Sequence, residues 1–312
     1  MSKAAPTEQQ QFLRGALFAL LAVILWSGNF VVARALHHRI SPVSLSFLRW
    51  FTATVFLFPI AYKKLKAEWR SLLPHLRYLC FTALAGVTVF NTLVYVAGRY
   101  TTAINLALIG TTASPVFVFL ISALLLKQSL TRLQYIGITF CIAGILLLLS
   151  KGSWEQLSRF HFTAGDWWIL GAALSFAIYT LLVRKKPPQL SPTVYLFSIF
   201  FIGTLFLLPA FLIDRYYAAT IEWNGPLIGS LFYLGIGASV LAFLFWNISI
   251  RTMGAAKTAL FGNLIPVFSS IEAALILGES FSPVALVSFL IILAGILIAN
   301  FSILRAMIKK PA

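Results

Sequence analysis

The stretch SPVSLSFLRWFTATVFLFPIAY, Ser41–Tyr62, has a second copy in SPTVYLFSIFFIGTLFLLPAFLI, Ser191–Ile213. Ser41-Pro42 matches Ser191-Pro192 and Pro59 matches Pro209, each at a shift of 150, and Gly15 matches Gly165 at the same shift. Further along, Pro115-Val116-Phe117 matches Pro266-Val267-Phe268, and Ala143-Gly144-Ile145-Leu146 matches Ala294-Gly295-Ile296-Leu297, both at 151. Ala107-Leu108-Ile109-Gly110 matches Ala259-Leu260-Phe261-Gly262 at 152. Single-residue insertions account for the drift. The chain therefore reads as two copies of one unit, over 15–150 and 165–305, behind a polar cytoplasmic tail at 1–14.

Both copies are built from long apolar runs. Of 312 residues, 60 % are hydrophobic, 15 % aromatic and 10 % charged, with a mean hydropathy of +0.92. A soluble domain is about 45–50 % apolar and about 25 % charged. This composition excludes a secreted domain, a disordered chain and a typical cytosolic enzyme. It requires a multi-span membrane protein, each span using about 20 apolar residues. Helices are the expected form, because the runs are continuous and do not alternate as barrel strands do. Ten are expected: Gly15–Ala35, Pro42–Tyr62, Tyr78–Ala97, Ala103–Leu126, Leu133–Leu149, Trp167–Val183, Pro192–Ile213, Gly229–Ile250, Thr258–Leu277 and Pro283–Leu304. The first is read as a retained helix, since no cleavage site precedes it.

Charge sets the orientation. The chain carries 24 Lys and Arg against 8 Asp and Glu. The basic residues sit in short loops, which makes membrane topology their explanation and excludes a nucleic-acid partner. With a cytoplasmic N-terminus, seventeen loop Lys and Arg fall inside and five outside. Both termini are then cytoplasmic. Trp154, Trp167, Trp168 and Trp223 gather at the outer boundary as an aromatic belt. Five spans per copy is an odd number, so the second copy crosses in the opposite sense. The expected fold is all-α and integral to the membrane: ten transmembrane helices as two inverted five-helix repeats around a central cavity. Alternating access is the mechanism that such symmetry supports.

Leu25-Trp26-Ser27-Gly28-Asn29-Phe30-Val31, then Ser41-Pro42, then Phe47-Leu48-Arg49-Trp50, resembles the opening of an EamA domain. Pro115-Val116-Phe117, Leu126-Lys127-Gln128-Ser129-Leu130-Thr131 and Ala143-Gly144 continue it. Pro266-Val267-Phe268, Leu277-Gly278-Glu279-Ser280 and Ala294-Gly295 close the second copy. The chain is similar, over residues 12–305, to ten-helix EamA-type members of the drug/metabolite transporter superfamily. The resemblance implies a bacterial inner-membrane exporter of amino acids or other small metabolites. It also implies a cavity lined by helices 1–4 and 6–9, with helices 5 and 10 outside. One departure stands out: the first copy has Lys127-Gln128 where the second has Gly278-Glu279.

Ionisable groups inside a span are costly and mark function. Arg34 is close enough to a helix end to reach the interface. Arg49 lies about 10 Å deep and Glu272 roughly 8 Å deep, at 1.5 Å per residue. Asn29 and Asn91 share that layer. Arg49 and Glu272 are expected either to pair or to take the carboxylate and ammonium of a zwitterionic solute. Trp26, Phe30, Tyr95, Phe176, Tyr179 and Trp246 add aromatic surface at similar depths. Pro115 and Pro266, read near the middle of helices 4 and 9, are candidate paired hinges, with Gly110, Thr111, Thr112, Ser114, Gly262 and Asn263 as small or polar lining. Glu272 is also the candidate proton carrier. A carrier for a drug, nucleoside or phosphorylated metabolite, or a non-transporting membrane subunit, remains open at this stage.

No enzyme, cofactor or metal site is expected. His37, His38, His75 and His161 are in loops without ligand spacing, and Cys80 and Cys141 lie in apolar runs. Gly137 and Gly144 make helices 5 and 10 a candidate homodimer contact.

Overall fold

The computed structural model describes residues 8–124, 131–150, 152–153, 163–217, 220–254, 258, 261–280, 282–299 and 301. Among these residues there is helix and no strand. The segments are α1 (Glu8–Ala35), α2 (Pro42–Leu72), α3 (76–97), α4 (Ala103–Leu124), α5 (Arg132–Leu149), α6 (Ala164–Val183), α7 (Pro192–Tyr217), α8 (Gly225–Met253), α9 (Gly262–Leu277) and α10 (Pro283–Ala299). Six stretches are long and apolar enough to cross a membrane: α1, the run Pro42–Ala97, α4, α6, α7 and α8. The run Pro42–Ala97 is 56 residues long and holds both α2 and α3, joined by a 3-10 turn at Leu73–His75. The helices α5, α9 and α10 are apolar but shorter.

The helix starts follow from local chemistry. Ser41 caps α2 by accepting from Ser44 N, with Pro42 in the first turn, where its missing N–H costs nothing. Thr131 with Gln134, and Thr163 with Asp166, form reciprocal capping boxes at α5 and α6. Three further carboxylates reach helix starts from a distance. Asp214 of α7 accepts from the hydroxyls of Ser41 and Ser44, the latter at 2.5 Å. Glu68 of α2 accepts from Ser191 N at 2.7 Å. Glu279, just past α9, accepts from Ala103 N at 2.9 Å and Ile104 N at 3.2 Å. A carboxylate there satisfies orphan N–H groups and complements the helix dipole. Lys127 and Gln128 lie outside the described residues, as does Trp154.

The first two of these contacts fix the packing of α2 on α7. The start of each helix meets the far end of the other, so the two run antiparallel. Midway between the ends, the hydroxyls of Thr54 and Thr204 lie 3.3 Å apart, and these residues are 150 apart in sequence. The helices α5 and α10 also run antiparallel. A Cβ on Gly137 would stand 2.5 Å from the Gly295 carbonyl oxygen, and one on Gly295 would stand 2.6 Å from that of Gly137. Gly144 packs equally closely on Ser288 and Ile292. Gly137 and Gly144 are thus covered by α10 of the same chain.

Two segments depart from α geometry at matching places. Leu84–Val89 of α3 and Tyr233–Leu241 of α8 are π-helical, and the first shifted by 150 falls inside the second. Such turns leave backbone carbonyls to side chains. Ser175 Oγ donates to Ala85 O at 2.8 Å, and Trp26 Nε1 to Ala238 O at 3.0 Å. Pro115 sits inside continuous α4. Pro266, read as a mid-helix kink, instead lies in the first turn of Ile265–Leu277, after a 3-10 turn at Gly262–Leu264. A proline lacks the N–H that a helix interior needs, so the regular helix begins there. The two prolines are therefore not structurally equivalent.

The α5–α10 crossing brings backbone against backbone at Gly137 and Gly295. Gly295→Val is expected to destabilise the detergent-solubilised protein by about 1–3 kcal/mol through overpacking, seen as a lower thermal unfolding midpoint. An unchanged midpoint would mean that the two helices do not meet at this point.

Candidate functional site

Arg49, about two turns into α2, is 3 % exposed. Its Nε donates to Ser239 Oγ at 2.9 Å. Its Nη1 donates to Asn91 Oδ1 at 2.7 Å, to Tyr95 OH at 2.8 Å and to Asn29 Oδ1. Tyr95 OH in turn donates to Asn29 Oδ1 at 3.0 Å. The guanidinium carbon lies 4.8 Å from the centroid of the Trp50 ring. Four helices thus converge on one cation: α1 through Asn29, α2 through Arg49, α3 through Asn91 and Tyr95, and α8 through Ser239.

Every one of these partners is neutral. Among the described residues no carboxylate pairs with Arg49, and its Nη2 makes no hydrogen bond. A guanidinium carries five donors in a planar fork suited to a carboxylate or phosphate. Burying it against neutral acceptors satisfies part of its hydrogen bonding but leaves its charge uncompensated. The arrangement can accept an anion on the free edge of the fork.

The expected Arg49–Glu272 ion pair does not form. Glu272 Oε1 accepts from Ser27 Oγ at 2.7 Å. Its Oε2 is buried with no hydrogen-bond partner among the described residues. The reason lies in α1. Ser27 and Asn29 are two residues apart, about 200° around a helix of 3.6 residues per turn. Asn29 faces Arg49, Ser27 faces Glu272, and α1 stands between the two charges. Tyr233 fills the space at the intervening Gly28, where an added Cβ would fall 2.1 Å from the Tyr233 oxygen. Its hydroxyl donates to Leu25 O at 2.8 Å.

The aromatic candidates divide. Trp26 lies 5.0 Å from Trp246 and 5.3 Å from Phe243, ring centroid to centroid. Trp246 also reaches Gly262, whose Cβ would stand 3.7 Å from the ring. Asn263 therefore sits in a turn beside this group. Phe30 is buried in the core of α1, α3 and α4, near Gly110. Tyr179 is elsewhere: it packs over Gly86 and beside Phe176, in the apolar core between α2 and α7. Arg34 donates to Gly98 O at 3.2 Å, tying α1 to the end of α3.

Sequence reasoning missed Ser239, Ser27 and Tyr233. Ser239 reaches Arg49 because the π-helical turn re-aims it, its hydroxyl donating to Leu234 O five residues back. The available signal was the small-residue run Gly235-Ile236-Gly237-Ala238-Ser239. Loss of one acceptor can be measured directly. Asn91→Leu is expected to cost about 1.5–3 kcal/mol, the worth of a hydrogen bond to a charged group, read from denaturant unfolding in detergent. A cost near zero would mean that Arg49 is solvated in another way.

The EamA-like transporter family matches residues 13–150 and 163–301. An uncharacterized transporter of Archaeoglobus fulgidus is 28 % identical, over 90 % of this chain and 95 % of its own. A "Probable amino-acid metabolite efflux pump" of Salmonella typhimurium is 27 % identical, over 92 % of this chain and 95 % of its own. A solved crystal structure superposes with a TM-score of 0.62 at 18 % identity, covering 95 % of this chain and 99 % of that one. The last comparison concerns the fold alone.

Proposed function

Because the chain belongs to the EamA-like transporter family, we propose that it is a secondary carrier exporting small carboxylate-bearing metabolites, amino acids above all. The membrane is a bacterial inner membrane, the chain crosses it ten times, and both termini are cytoplasmic, in keeping with the seventeen-to-five division of loop Lys and Arg. One observation carries the substrate reading: Arg49 is buried among Asn29, Asn91, Tyr95 and Ser239, all neutral, with Nη2 unengaged. An entering carboxylate would compensate that charge. Trp26, Trp246 and Asn263 line the α1–α8 side, where a solute's apolar body would rest. Glu272 is the second charged group of this reading. With one oxygen idle on the other flank of α1, it takes a proton or the solute's ammonium when α1 shifts.

Alternating access follows from an inverted pair of repeats. Support comes from contacts between residues one repeat apart. Thr54 touches Thr204 at a separation of 150, and Cys141 donates to Ile292 O at 3.8 Å with a separation of 151. A residue meets its own counterpart only beside a two-fold axis. The antiparallel pairs α2–α7 and α5–α10 both satisfy that condition.

Proteoliposomes loaded with a mixed pool of amino acids test the reading. Wild type is expected to release a subset selectively. Arg49→Ala should abolish release, and Arg49→Lys should lower it at least about tenfold, because lysine keeps the charge and loses the planar fork. Glu272→Gln should remove any response to a pH gradient. Wild-type release by both Arg49 variants would overturn the carboxylate reading.

A further inference from the structure

Between α7 and α8 runs a cleft that ends on the Arg49 cluster. Its lining includes Thr193 and Phe200 of α7, and Ser239, Phe243, Asn247 and Arg251 of α8. The four α8 residues are spaced by four, which aligns them on one face of the helix. From Arg251 to Ser239 is about 18 Å along that face at 1.5 Å per residue. Ser239 is the residue whose hydroxyl accepts from Arg49 Nε. The cleft therefore joins the buried guanidinium to the end of the bundle where α7 begins and α8 finishes.

Part of its hydrogen-bonding capacity is left over. Arg251 is exposed and makes no ion pair among the described residues. Asn247 spends one Nδ2 N–H on Phe243 O at 2.8 Å, and the second N–H of that amide is the donor it offers an anion. The nearest carboxylate on α2, Glu68, is occupied by Ser191 N. Lys186 adds a second cation at this end, donating to Leu190 O and Pro187 O. The Arg251 cation at the mouth and an amide N–H partway lead to the Arg49 guanidinium, whose Nε is held by Ser239 Oγ while the Ser239 hydroxyl donates to Leu234 O. The cleft holds about 20 Å³. That is room for a water, which needs about 10–15 Å³, and not for a solute. In this conformation the track is closed.

We propose that this α7–α8 cleft is the entry track for the solute's carboxylate, with Arg251 and Asn247 as a first docking station and Arg49, beside Ser239, at its inner end. The inference rests on the carboxylate reading of Arg49 and adds a second site to it. By the positive-inside count, Arg251 faces the cytoplasm, so the track serves loading for export. Arg251 and Asn247 act on capture, and Arg49 on transport itself.

Two measurements test it. In the first, export kinetics are followed from the side that carries Arg251. Arg251→Gln and Asn247→Leu are expected to raise KM about tenfold with Vmax nearly kept, and Arg251→Lys to recover most of the affinity. Arg49→Ala, by contrast, loses Vmax. An unchanged KM in both variants would overturn the track. In the second, a cysteine replaces Leu244, which also lines the cleft, in a chain with Cys80→Ser and Cys141→Ala. The anionic sulfonatoethyl methanethiosulfonate should label it several-fold faster than the cationic trimethylammonium reagent. Arg251→Gln should erase that preference. Equal labelling by both reagents, or a preference that survives Arg251→Gln, would overturn the proposal. Because labelling needs no transport, a charge preference in a protein that releases no amino acid would sink the export reading and leave the anion track standing.

Discussion

Arg49 brings five N–H groups and a full positive charge to a place where water does not reach. Desolvating that charge is costly, and leaving its donors unpaired would cost more. Three other helices answer it, each with a neutral oxygen: Asn29 from α1, Asn91 and Tyr95 from α3, Ser239 from α8. Two of these come from the first repeat's other helices and one from the second repeat. The cation thus joins the two halves at their centre. The π-helical turn at Tyr233–Leu241 sets the angle at which Ser239 meets that cation.

The acidic side chains do a different job. Glu68, Asp166, Asp214 and Glu279 all lie at helix starts, their own or another's. There they meet backbone N–H groups, or for Asp214 the Ser41 and Ser44 hydroxyls, and the positive end of the helix dipole. Asp214 and Glu68 do this reciprocally for α2 and α7, and Glu279 ties the end of α9 to the start of α4. Glu272 is the exception, set within α9 against a single hydroxyl. Negative charge therefore holds the ends of the bundle, and positive charge holds its middle.

Much of this was legible from residues alone. Continuous apolar runs and a constant repeat shift located helix in all ten segments, since hydrophobic length is a property of sequence. Depth along each helix correctly grouped Arg49, Asn29 and Asn91. Depth is only one coordinate, however. Glu272 shares it and lies on the other flank of α1, because the angle around a helix depends on neighbours. Tyr179 failed for the same reason, facing the α2–α7 core. Ser239 was hidden because a π-helical turn breaks the angular count that a sequence reading assumes. Pro266 was misplaced because a proline marks a helix start and a helix kink with the same residue.

The contacts between Thr54 and Thr204 and between Cys141 and Ile292 join residues one repeat apart, and in the proposed carrier they would lie on the line about which the two repeats rock. When one half of a body rocks against the other about such a line, atoms on the line are displaced least. A fulcrum there would be built from small groups: two hydroxyls, a thiol on a carbonyl, and the bare backbone of Gly137 and Gly295. Small groups tolerate a few degrees of tilt without losing contact, where interlocked branched side chains would jam. Wear would fall instead on the rim, where Glu279 would have to let go of the α4 start for that end of the bundle to part.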